Sequence, residues 1–165
     1  MKDHRILHWA EQNFIPLFFV YQEIFLLLGT SGDVFSGWSL LVLLFSISFG
    51  WLVQSMLQWI SKDGLRFYVS LALLIGTTVY YLTEYFCYRA YKTFFTVRSL
   101  LAGMHGVAEQ YSSAIYMTFV LGFGAIVIFQ IPVLLFLFYG RKYIMPAWKS
   151  RWKLSIITFL LALAS

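Results

Sequence analysis

Charge is what this sequence has least of. Only 12% of its 165 residues are Asp, Glu, Lys or Arg, about half the share of an ordinary soluble chain. With 61% of residues hydrophobic, a disordered chain is excluded, because disorder goes with polarity and few aromatics. A soluble domain of this length is excluded as well, since its surface could not conceal so much apolar area. Cys87 is the one cysteine, so no internal disulfide can form. Its simplest role is that of a small hydrophobe. Histidines are limited to His4, His8 and His105. His4 and His8 have i,i+4 spacing, but no H-E-x-x-H arrangement accompanies them. There is no Gly-rich phosphate loop and no G-x-S-x-G element, so no soluble-enzyme constellation is present.

What is present in quantity is apolar and aromatic: 61% and 21%. That composition is an integral membrane protein's, with Trp and Tyr suited to the interface. The sequence predicts an all-α, polytopic membrane helix bundle in a single domain. Its spans fall at about residues 14–29, 39–60, 65–85 and 114–139, followed by an incomplete fifth at 154–165. The last block has twelve residues, whereas a span needs about 20. A fifth helix continuing past Ser165 is therefore expected, or else a short half-inserted segment. The start, residues 1–13, is polar, and the first apolar block has no A-x-A-type cleavage site. It reads as a retained span rather than a signal peptide.

Several polar residues fall inside these spans. Gln22 and Glu23 lie deep in the first. A charge there costs roughly 2.5 kcal/mol or more and so faces the bundle interior. Glu23 either locks helices together or marks a functional site. Glu84 closes the third span and Gln130 lies in the fourth. Pro132 interrupts the fourth and frees a carbonyl that a neighbour must satisfy. Gly50 and the serines of the second span, and Gly76, Thr77 and Thr78 of the third, offer small packing surfaces.

Basic residues set the orientation. Lys2, Arg5, Lys62, Arg66, Arg141, Lys142, Lys149, Arg151 and Lys153 make nine on one side; Arg89, Lys92 and Arg98 make three on the other. The positive-inside rule places the nine, and the N-terminus, in the cytoplasm. The net charge of +5 is then explained by topology and anionic lipid rather than by nucleic acid.

The stretch at 80–110 is the one long segment between spans. Phe94, Val97, Leu101, Met104 and Ala108 form an apolar stripe at helical spacing. Gly103 and Gly106 end it. An extracytoplasmic interfacial helix is expected at about 88–108, apolar side down. Arg89, Lys92 and Arg98 would reach lipid phosphates, with Tyr85, Tyr88 and Tyr91 at headgroup depth. Simple anchoring is the competing role.

The run YYLTEYFCYRAYKTFFTVRSLLAGMHGVAEQYSSAI resembles the outer segment between the third and fourth spans of the lipoteichoic acid synthase family, sulfatase-like membrane enzymes of Gram-positive bacteria. The sharp part is about 84–111. Glu23 is similar to an acidic position in that family's first helix. The resemblance implies five spans followed by an extracytoplasmic catalytic domain. That domain would carry a threonine nucleophile and a divalent metal, Mn or Mg, and would transfer glycerol phosphate from phosphatidylglycerol. None of those catalytic residues or metal ligands lies in this chain. The implied partners are anionic membrane lipids and the chain's own catalytic domain. The alternatives are a small transporter or channel subunit using Glu23, Gln54 and Gln130, and a non-catalytic scaffold.

Overall fold

The computed structural model describes residues 8–30, 36–91, 120 and 122–144. All regular elements among these residues are helical. They are α1 (Phe14–Thr30), α2 (Gly37–Gln58), α3 (Asp63–Tyr91) and α4 (Phe123–Tyr139), followed by a π-helical turn at Gly140–Ile144. A helical turn at 8–12 precedes α1.

Two of these helices, Gly37–Gln58 and Asp63–Arg89, are long and apolar enough to cross a membrane. The 17 residues of α1 span only about 25 Å, short of roughly 30 Å of hydrocarbon. For the fourth expected span, described helix begins at Phe123, and 114–119 lie outside the described residues. So do the interfacial helix beyond residue 91, the fifth block at 154–165, and His4 and His105.

The ends of the helices follow from their local chemistry. Asn13 accepts the amide of Leu17 through its carbonyl at 3.0 Å, and Pro16 sits in the first turn of α1, where its missing N–H costs nothing. Ser36 caps α2, its hydroxyl accepting the amide of Ser39 at 3.1 Å. After α2, the guanidinium of Arg66 donates to the carbonyl of Ile60 at 2.9 and 3.0 Å, fixing the tight turn into α3. The third helix runs on to Tyr91, six residues past the end expected from the apolar pattern, because no Gly or Pro interrupts 77–91. Residues 88–91 therefore belong to α3 and not to a separate interfacial helix.

The bundle is organised around α1. It packs along α2 and also against α3, while α4 rests mainly on α3; α2 and α3 meet only briefly. Ile15, Phe18, Leu74, Phe129 and Phe136 are fully enclosed at the centre. The α1–α2 crossing is close because Gly50 faces Pro16: a Cβ on Gly50 would stand 2.5 Å from the Pro16 Cα. This is the close packing expected of Gly50. Gly76 behaves differently. It faces open space, with nothing within 4 Å of a Cβ placed there, and it is Thr78 that is buried.

Candidate functional site

Tyr21, Gln22 and Glu23 are three consecutive polar residues in an otherwise apolar helix. Successive residues of an α-helix are turned by about 100°, so the three side chains address different neighbours. Tyr21 turns to α4, where its hydroxyl donates to the carbonyl of Ile128 at 2.9 Å. That carbonyl lies four residues before Pro132 and lacks the amide that would normally pair with it. The donor demanded by Pro132 is thus Tyr21.

Gln22 is fully buried. Its Nε2 donates to the Thr78 hydroxyl on α3 and to the carbonyl of Phe129 on α4, both at 3.1 Å. One amide therefore joins three helices. Glu23 turns the other way, toward α2 and α3. Its Oε2 accepts the Tyr81 hydroxyl at 2.7 Å, and Ser46 of α2 lies beside the same hydroxyl.

Glu23 and Tyr81 share a pocket of about 500 Å³ between α1, α2 and α3. Its walls are mostly apolar: Phe19 from α1; Val42, Phe45, Phe49 and Val53 from α2; Leu73 from α3. It exists because α2 and α3 diverge and because Gly76 contributes no side chain. A second groove, about 560 Å³, runs between α1 and α4 along Phe14, Leu17, Phe18, Ile131, Pro132 and Leu135, with Glu11 at one end.

A separate polar layer lies at the foot of α1. The Trp51 indole donates to Asn13 Oδ1 at 3.1 Å, and Gln54 Nε2 donates to the carbonyl of Gln12 at 2.7 Å. His8 is exposed and contacts Gln12 and Glu11.

Among the residues singled out from the sequence, Glu23 lies in the pocket. Glu84 is buried in the last third of α3, bonded to Tyr80 one turn earlier. Gln130 is half-buried on α4. Arg89 is exposed in the last turn of α3, where a cation complements the helix dipole. Lys92 and Arg98 lie outside the described residues. Tyr85 packs inward on Gly29, near the end of α1, and on Phe129, the two rings 5.9 Å apart. Glu23, Gln54 and Gln130 share no hydrogen bond. The partner of Gln54 is eleven positions from Glu23 on the chain, about 16 Å along a helix. Sequence reading missed Tyr21 and Tyr81. The need of Pro132 for a donor could have pointed to the polar trio on α1.

No protein-family model, curated protein or solved structure matches this chain.

Proposed function

We propose that this chain is a multi-pass membrane domain that anchors and orients an extracytoplasmic, sulfatase-like phosphoglycerol transferase. One observation carries the membrane half of this reading: polarity is distributed inside out. Gln22, Ser48, Ser70 and Thr78 are buried to 1% exposure or less, while Trp38, Trp59 and Phe138 are more than 70% exposed. Water would reverse that arrangement, whereas lipid favours small and polar residues between helices and apolar ones outside. Trp38 and Trp59 are 21 positions apart at the two ends of α2, about 32 Å along the axis, matching the hydrocarbon thickness.

The enzymatic half rests on the resemblance carried by residues 84–111, with Arg89, Lys92 and Arg98 as contacts to an anionic lipid headgroup. With the N-terminus in the cytoplasm, alkaline phosphatase inserted between α1 and α2 is active, and inserted between α2 and α3 is inactive. The opposite pattern reverses the topology. Arg89→Ala combined with Lys92→Ala lowers glycerol-phosphate transfer by the full-length protein at unchanged expression. Unchanged turnover removes the lipid contact.

A further inference from the structure

Glu23 stands in a pocket walled mostly by rings and aliphatic side chains, with Ser46 and Thr77 among them. A carboxyl group in such surroundings stays neutral unless a countercharge meets its ionised form. One oxygen already accepts the Tyr81 hydroxyl. No Lys or Arg among the described residues lines the pocket. The aromatic wall is ordered: Phe19 and Phe49 meet edge to face at 5.2 Å, and Phe45 stacks on Phe49 at 6.2 Å. Such rings offer a large contact surface to an apolar body. The volume, about 500 Å³, lies in the range of small-molecule sites, which combine apolar walls with a few polar groups.

We propose that this pocket binds an organic cation of the ammonium class with an apolar body. The ammonium N–H meets the Glu23 carboxylate, and the apolar body lies against Phe19, Phe45 and Phe49. Tyr81 holds the carboxylate on the pocket side of α1. The proposal does not depend on the anchoring role or on any catalytic domain.

Calorimetric titration of the full chain in phosphatidylcholine nanodiscs tests it, with phenethylammonium as probe, uncharged 2-phenylethanol as its comparison and protein-free discs as background. The cation is expected to bind saturably at one site, at least tenfold tighter than the alcohol. Glu23→Gln is expected to weaken the cation at least tenfold. Gly76→Leu fills the opening from a position with free space around it. It is expected to keep the helical circular dichroism spectrum and abolish binding, so it decides the matter even if Glu23→Gln fails to fold. Equal affinity for cation and alcohol, or cation binding unchanged in Gly76→Leu, overturns the proposal.

Discussion

The foot of α1 and its middle are held by different forces. At the foot, Pro16 and Gly50 bring two helices within backbone reach. The hydrogen bonds there, Trp51 to Asn13 and Gln54 to Gln12, join α1 and the turn before it to α2. In the middle, side chains do the joining: Tyr21 and Gln22 reach α3 and α4. The foot should therefore tolerate loss of a hydrogen bond and fail on added volume. The middle should be the more sensitive to lost donors. With the bundle in lipid, as proposed, apolar contact alone would contribute little, and shape and hydrogen bonds would divide the task between them.

The sharpest way to break the contrast is Gly50→Leu. Its side chain would run into the Pro16 backbone, which cannot rotate aside. We expect a loss of about 3 kcal/mol or more, read by SDS unfolding in mixed micelles with circular dichroism. Next is Gln22→Leu, which removes the donor that Thr78 and the Phe129 carbonyl share. A cost of about 1.5 kcal/mol is expected; a neutral result would make the middle a packing contact like the foot. Tyr21→Phe should cost about 1 kcal/mol by stranding the Ile128 carbonyl. In a Pro132→Ala background, where the backbone regains its donor, that cost should largely vanish. A double-mutant cycle with no coupling would show that Tyr21 does not serve Pro132. The smallest effect belongs to Trp51→Phe, about 0.6 kcal/mol, because the Gly50–Pro16 approach holds the foot without it. A loss equal to that of Gln22→Leu would erase the distinction between the two layers.

Much of the helical layout was legible in the chain. The α1 and α2 boundaries lie within about two residues of those expected from hydropathy, in line with ordinary uncertainty at helix ends. The end of α3 was less legible. Apolar content falls after Tyr85, but falling hydropathy does not stop a helix; only a breaker or a cap does. Gly50 and Gly76 are the plainest pair. Each is a glycine in an apolar helix, yet one meets a backbone and the other meets nothing. In the sequence they read alike.

For the pocket, Glu23 could be named as a costly group inside a span, but its partner could not. Tyr81 lies 58 positions later, and nothing local to either residue marks the pairing. Sequence by itself determined that these residues form apolar helices, that Pro132 leaves a carbonyl to be satisfied, and that Gln22 and Glu23 must face inward. Only the tertiary structure decided that Tyr21 supplies the donor, that Gln22 joins three helices, and that Glu23 opens onto an aromatic pocket. The physical reason is that these helices are apolar around most of their circumference. Amphipathic periodicity, which would mark the buried face, is weak in them, so the choice of neighbour falls to close approach and hydrogen bonding between helices.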